Sequence, residues 1–576
     1  MSMPTPAPIP HALTVPGRRF RLASVESLLC GVLIVIVAAL VLLPLGYLFY
    51  GALRSAPPRV AGASFTLDNL SQIYASPAFV EPILTTVALG MCVGIGSALV
   101  GTVLAWVITR LDIPRPALWE KLLVLPLYFS PLMLGLAFMA AGAPRVGFLN
   151  LLAHRLGASP TTFNVYSFAG VVFVLCVHYA PYAFMVLAGP MRAIGAELEE
   201  AAQVLGSARG RTMRRIIVPM LWPAIFSVVL IVFTLAAENF AVPTLLGRVS
   251  KLRTIPSEIY FWLSYEPNNP NLAAAAGTLL LIITMIGIFV YRRMTRVAGR
   301  YVTVMGKPKP AVRMRIGRWK WLVVGLLTLY LLLTTVVPIG SLLLGSFMRF
   351  LGPQLNMRLM TLRNYQAAFR SDNLEAMGNS LLLVALAATL TTVLGFLIAY
   401  TIRRTRVRGR GALDYLSMLP IAVPGMVLGI GMLWTYVRAP WGLWGSIWIL
   451  LIAYVSRFIA HGVRAGESSL LQVSGEMDEA ARVLGAGLTR RVTQIAMPLS
   501  KRALLSSWVL VAIFVLNEVT STILLYSSRS TTLSVLTWQA LDMAGAMQAF
   551  AFAAVQGVMT AVLVLISYRL AGKTTW

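Results

Sequence analysis

The sequence predicts an all-α integral membrane protein of about 12 transmembrane helices, arranged as two parallel six-helix repeats. Three observations carry that prediction. Of 576 residues, 58% are hydrophobic and only 12% charged, and the mean hydropathy is +0.79, a composition suited to lipid rather than water. Apolar runs of about 20 residues, enough to cross a bilayer as a helix, recur along the chain. A short motif also occurs twice. Glu200-Ala201-Ala202, Gly206 and Ile216-Ile217-Val218-Pro219 are matched, 279 residues later, by Glu479-Ala480-Ala481, Gly485 and Ile495-Ala496-Met497-Pro498.

Residues 1–24 hold five prolines, with Arg18, Arg19 and Arg21 before the first apolar run. They read as a cytoplasmic tail, and the run that follows starts too late and extends too far for a cleavable signal. The first half, residues 25–297, should contain spans near Leu28–Leu53, Ile83–Ile108, Leu122–Ala141, Tyr166–Leu187, Leu221–Ala237 and Leu272–Tyr291. Gly90, Gly94, Gly96 and Gly101 in the second span let another helix approach closely. Pro126 and Pro131 fall in the third, which should be bent or interrupted. Residues 298–320 form a basic linker. Between Arg292 and Lys320 there are ten basic residues and no acidic one, a bias that places the segment in the cytoplasm.

The second half, residues 321–576, repeats this pattern with spans near Trp321–Phe347, Leu381–Ile402, Leu413–Tyr436, Trp444–Gly462, Ala503–Leu516 and Ala549–Leu570. Pro420 and Gly429 follow Pro126 and Gly135 by 294 residues, so the second half is about 15 residues shorter between its third span and the motif. The net charge of +28 is read as loop charge that sets topology and meets anionic lipid, with no nucleic acid as partner. Cys30, Cys92 and Cys176 are read as small buried hydrophobes, without a disulfide or metal framework.

Each motif copy lies between the fourth and fifth spans of its half. Leu198, Ala201, Ala202 and Leu205 fall at i, i+3, i+4 and i+7, as do Met477, Ala480, Ala481 and Leu484, giving a short helix one narrow apolar face. Glu197, Glu199 and Glu200, or Glu476, Asp478 and Glu479, cluster at its start, where carboxylates complement the helix dipole. Gly206 and Gly485 can end it in the left-handed conformation. A second short helix should follow, its apolar face made by Met213, Ile216, Ile217 and Met220, or by Val492, Ile495, Ala496 and Leu499. One copy would suit an ordinary juxtamembrane hairpin. Two copies in register favour a surface on which a partner docks.

The pattern Glu-Ala-Ala, three residues, Gly, nine residues, Ile-x-Leu-Pro resembles the cytoplasmic coupling loop of type I binding-protein-dependent ABC importer permeases. Val218 and Met497 stand in place of the leucine. The linker segment Arg300-Tyr301-Val302-Thr303-Val304-Met305-Gly306-Lys307 and the stretch from Asn517 to Leu525 are similar to segments of fused iron(III)-type permeases. The resemblance implies that two cytoplasmic ABC ATPase subunits dock on Glu200, Ala201, Ala202 and Gly206 and on Glu479, Ala480, Ala481 and Gly485. Ile216, Pro219, Ile495 and Pro498 would anchor these coupling loops. It further implies a periplasmic solute-binding protein, a bacterial inner membrane with both termini cytoplasmic, and ferric iron as cargo, with 2-aminoethylphosphonate, thiamine and polyamines as alternatives. ATP would be bound by the partner subunits, leaving this chain without a cofactor and not itself an enzyme.

The chemistry-bearing residues agree with that division of labour. Gly572-Lys573-Thr574-Thr575 imitates the end of a phosphate-binding loop, but Ser567 occupies the upstream glycine position. His11, His154, His178 and His461 have no metal-ligand or catalytic spacing. His178 and Arg457 lie in or near the fourth span of each half, and either a place on the translocation path or packing and snorkelling accounts for them. Glu238 and Glu518 fall in equivalent places after the fifth spans, as attractors for a cation or as caps and interhelical hydrogen-bonding groups. A secondary transporter would need charged coupling residues at the midplane of several spans. A membrane enzyme would need a converging cluster of catalytic groups.

Overall fold

Where no water reaches the backbone, N–H and C=O groups must be satisfied within the segment, and the apolar runs of this chain accordingly form helices. The computed structural model describes residues 25–58, 60, 62–194, 204, 205, 207–298, 313–353, 357–437 and 442–571, and no β-strand occurs among them. The first half contains α1 (Val25–Ala52), α2 (Val80–Arg110), α3 (Pro116–Tyr128), α4 (Pro131–Gly142), α5 (Phe168–Ala193), α6 (Val218–Ala237), α7 (Ala241–Gly247), α8 (Ile255–Ser264) and α9 (Pro270–Ala298). The second contains α10 (Trp319–Leu331), α11 (Val337–Ser346), α12 (Ser371–Arg404), α13 (Arg410–Met418), α14 (Gly425–Tyr436), α15 (Ile447–Leu471), α16 (Gly475–Val483), α17 (Met497–Leu516), α18 (Thr522–Leu525), α19 (Leu533–Met543) and α20 (Ala546–Ala571). A π-helical turn joins α10 to α11 in one span.

Ten helices among the described residues are long and apolar enough to cross a membrane, and two bent pairs raise the number to 12. The bent pairs are the third span of each half, kinked by 95° between α3 and α4 and by 108° before α14. Pro131 and Pro424 explain both breaks, because a proline drives the preceding residue out of the helical region. Ser130 and Val423 are indeed extended, and the Ser130 hydroxyl accepts a hydrogen bond from Met133 N to restart the helix.

The segments between the fifth and sixth spans differ from the sequence expectation, which gave them no structure. Each holds two short helices, α7 and α8 in one half and α18 and α19 in the other. Their capping is shared with the second span: Ile255 N donates to Thr86 Oγ1 at 2.9 Å and Leu533 N to Ser380 Oγ at 2.8 Å. Too short for a helical period to emerge, such apolar pieces read as flank to a neighbouring span.

The first helix of each half crosses to the other half. α1 packs on α14, and α11 on α4. The first crossing is close: a Cβ at Gly431 would sit 2.3 Å from the Pro44 carbonyl oxygen. One apolar core therefore spans the boundary, joining Leu132 and Ala274 to Met426, Leu516 and Phe552. Outward-facing Leu99, Val103, Phe289, Leu326 and Leu565 are exposed, as lipid-facing residues would be. Cys92 is also exposed, which corrects its reading as a buried hydrophobe, whereas Cys30 is buried and Cys176 partly so.

Candidate coupling loops and the interface between the halves

The second motif copy is fully described. α16 begins after Ser474, whose hydroxyl accepts from Glu476 N at 3.3 Å. It ends at Gly485, whose φ of +81° is the left-handed conformation the sequence required. Ala481 is buried, while Glu479 and Ala480 are exposed. Beyond them Val483 and Leu484 are each 87% exposed. Apolar side chains this bare at the end of a helix give a partner something to cover.

Of the first copy, Glu200, Ala201, Ala202 and Gly206 lie outside the described residues. Val204 and Leu205, the counterparts of Val483 and Leu484, are described, and each is 86% exposed. The second helix expected after the glycine is present in both copies only as a single turn, Arg209–Thr212 and Leu488–Arg490, and is not separate from the fifth span. Instead the π-helical turns Met213–Ile217 and Arg491–Ala496 run straight into α6 and α17. Pro219 and Pro498 have no N–H to continue an α-helical ladder, and the wider turn absorbs that loss. Ile216 and Ile495 are half-buried and both prolines exposed. The deeper contacts fall to Ile217, Val492 and Ala496.

An arginine pair fixes the start of each loop. Arg110 Nη2 donates to the carbonyls of Met191 and Ile194, both at 2.9 Å. Arg404 Nη2 donates to Leu470 at 2.8 Å and Val473 at 2.5 Å. The arginines are 294 residues apart and their acceptors 279, so the repeat extends to the hydrogen bonds. In both halves a cation meets the free carbonyls and negative dipole end of the fourth span.

The middle of the interface is not repeated. Arg457 of α15 lies 3.1 Å from Glu518 Oε2 and 3.6 Å from Glu238 Oε1, bridging the halves. Its guanidinium rests against the bare Cα of Gly425, where a Cβ would lie 1.7 Å from Nη1. His178 occupies the matching register of the first half, 279 residues earlier, and meets Tyr179 edge-on at 4.7 Å. Glu238 and Glu518 are one residue out of register, which corrects their reading as equivalents. Glu518 matches Asn239: their side-chain oxygens accept from Ser521 N at 2.8 Å and Val242 N at 3.1 Å. Glu238 matches Asn517, which reaches across to the Tyr128 carbonyl at 3.3 Å.

At the end away from the motif, a cavity of about 190 Å³ lies between α8 and α19 and is lined by Tyr260, Tyr265, Trp538 and Asp542. Trp538 Nε1 donates to Tyr260 Oη at 2.9 Å, and Phe240 packs on both rings. Arg248 and Asp542 close an ion pair across the halves at 2.8 Å. The Asp542 carboxylate raises the Arg248 pKa above its ordinary value. Among the described residues no cluster of three His, Cys, Asp or Glu could hold a metal ion.

The family model of the binding-protein-dependent transport system inner membrane component matches this chain twice, over residues 116–302 and 391–573. The chain belongs to that family. A Haemophilus influenzae permease named for ferric transport, FbpB 1, is 29% identical over 473 residues, which are 81% of this chain and 73% of the relative. The ferric transport system permease FbpB of Actinobacillus pleuropneumoniae is also 29% identical, over 78% of this chain and 65% of its own length. This chain thus spans 73% of the length of the first of these relatives and slightly less than two thirds of the second. A solved bacterial ABC transporter involved in import of the acidic polysaccharide alginate matches 42% of this chain and 85% of its own at 18% identity, with a TM-score of 0.35.

Sequence reasoning singled out the doubled motif and the charged residues one at a time. It missed the arginine clamps, although Arg110 and Arg404 stood in register at the ends of the second spans. It also missed the ionic bridge between halves, because nothing local to Arg457 names Glu238 as its partner.

Proposed function

We propose that this chain supplies both halves of the transmembrane pathway of an ATP-driven importer of ferric iron. A periplasmic binding protein delivers the cargo, and two cytoplasmic ATPase subunits grip the loops around Glu200–Gly206 and Glu479–Gly485. Closure of the ATPases drives the halves between inward-open and outward-open states. The chain divides into a tail (1–24), a first half (25–297), a linker (298–320) and a second half (321–576). Both termini are cytoplasmic, hydrolysis takes place on the ATPases, and the chain carries no cofactor of its own.

The observation that carries the reading is the doubled family match within one chain, together with relatives named for ferric transport that align over about four fifths of it. The exposed apolar pairs Val204-Leu205 and Val483-Leu484 support docking at two matched places. The cluster of Arg457, Glu238 and Glu518 lies where the halves meet, and intramembrane ions face interiors or cavities. Proteoliposomes holding this chain, its ATPase and its binding protein test the cargo. ATP-dependent uptake of radiolabelled iron(III) is expected, with none of 2-aminoethylphosphonate, thiamine or spermidine. Uptake of one of those instead reassigns the cargo, and uptake driven by an ion gradient without ATP ends the importer reading.

A further inference from the structure

Arg491 is the first residue of the π-helical turn behind the second coupling loop, and its side chain is only 5% exposed. Nη2 meets Glu26 Oε1 at 2.6 Å and Nη1 meets Asp478 Oδ2 at 3.3 Å. The other Asp478 oxygen accepts from the Tyr400 hydroxyl at 2.7 Å. Four parts of the chain converge here: the start of α1, the end of α12, the first turn of α16 and the entry to α17. Glu26 is 465 residues from Arg491 and comes from the other half of the sequence.

The sequence of the first half does not supply the residues for these three contacts. At the repeat offsets, Arg491 corresponds to Thr212, Asp478 to Glu199, Tyr400 to Trp106 and Glu26 to Lys320. The guanidinium, the phenol and the α1 carboxylate are all replaced, the last by a cation. Thr212 bonds locally, to Ser207 Oγ at 3.2 Å. A buried ion network costs desolvation that apolar packing would avoid, and its best-attested use is to fix one arrangement. Here the fixed arrangement is that of the loop proposed to receive an ATPase.

Resting on that coupling reading, we propose that Glu26, Arg491, Asp478 and Tyr400 are positioning residues that tie the second coupling helix to the body it must move, making the two coupling loops mechanically unequal. Motion imposed on α16 passes through Asp478 and Arg491 into α1 and α17 together. The first loop transmits without such a tie. None of the four belongs to the exposed Val483-Leu484 pair, so losing the tie separates hydrolysis from transport without removing the docking surface.

The test is iron uptake per ATP hydrolysed in proteoliposomes of the full complex, for Glu26→Ala, Glu26→Asp, Arg491→Leu, Lys320→Gln and Thr212→Val. Glu26→Ala and Arg491→Leu should lower the ratio about fivefold or more while hydrolysis stays within about twofold, in the range of ordinary coupling energies. Glu26→Asp should recover most of it, and Lys320→Gln and Thr212→Val should leave it unchanged. An unchanged ratio in Glu26→Ala, or an equal fall in Thr212→Val or Lys320→Gln, overturns the proposal. Should Arg491→Leu fail to assemble, Glu26→Ala at the helix start decides. A Val483→Asp/Leu484→Asp variant separates the two readings. If it keeps its ATPases bound and coupled, the coupling reading fails and the tie with it. If it loses them while Glu26→Ala keeps its ratio, only the tie is wrong.

Discussion

The two halves of the permease agree at one level and part at the next. At the motif end, Arg110 and Arg404 make the same two carbonyl contacts at the same offsets. A helix-width deeper in sequence, His178 faces the interior of one half where Arg457 faces that of the other. Repetition held at these clamps, which serve the frame of each half. It lapsed at Arg457, which reaches the other half, since two copies of it at one interface would place like charges together.

Breaking the unrepeated bridge should have the largest effect. Arg457→Leu leaves Glu238 and Glu518 without their cation at a buried site, a change that typically costs about 3–5 kcal/mol. A lowered midpoint of thermal unfolding in detergent is expected, and it should exceed the shift in His178→Leu, which removes no charge partner. Equal shifts would mean that the bridge does not distinguish the halves.

Arg110→Ala and Arg404→Ala sharpen the repeated side of the comparison. Each removes two charge-assisted hydrogen bonds at a helix end, and a loss of about 2 kcal/mol is expected for both. Similar unfolding shifts in the two variants support a shared clamp, whereas a shift in only one would show that the halves differ there too.

The spans themselves were legible from apolar length, and the two kinks from Pro131 and Pro424, because bilayer thickness and proline act locally. The exposed motif loop was legible from its doubled spacing. The helices 241–247 and 522–525 were not, being shorter than the window in which periodicity shows. Nor was the tie between Glu26 and Arg491, since contacts across 465 residues depend on how α1 crosses between halves. The one-residue slip that separates Glu238 from Glu518 was hidden by two adjacent Glu/Asn pairs in opposite order, Glu238-Asn239 and Asn517-Glu518.

Helix contact offers a smaller test. Gly395 and Gly462 of the second half stand where Gly101 and Ala183 stand in the first. A Cβ on Gly462 would come within 2.3 Å of the Thr391 carbonyl oxygen, so α12 and α15 touch backbone to backbone. Gly462→Ala should cost about 1–3 kcal/mol by forcing them apart, although it only installs the first half's residue. Ala183→Gly, the reverse change, should leave the fold standing, as circular dichroism would register. Smallest of all, Arg248→Ala removes an ion pair with an arginine 60% exposed, worth under about 1 kcal/mol. Its unfolding midpoint should scarcely move.

If the importer is driven from the motif loops, its ATPases dock on the two exposed apolar pairs, Val204-Leu205 and Val483-Leu484. The direct measurement is ATP hydrolysis by the purified complex in lipid, with and without iron-loaded binding protein, for wild type and for Val204→Asp/Leu205→Asp combined with Val483→Asp/Leu484→Asp. Stimulation by the loaded binding protein in wild type, lost in the variant along with ATPase association while the helical content persists, is the predicted result. A variant that keeps its ATPases and its stimulation would contradict the assignment of these loops.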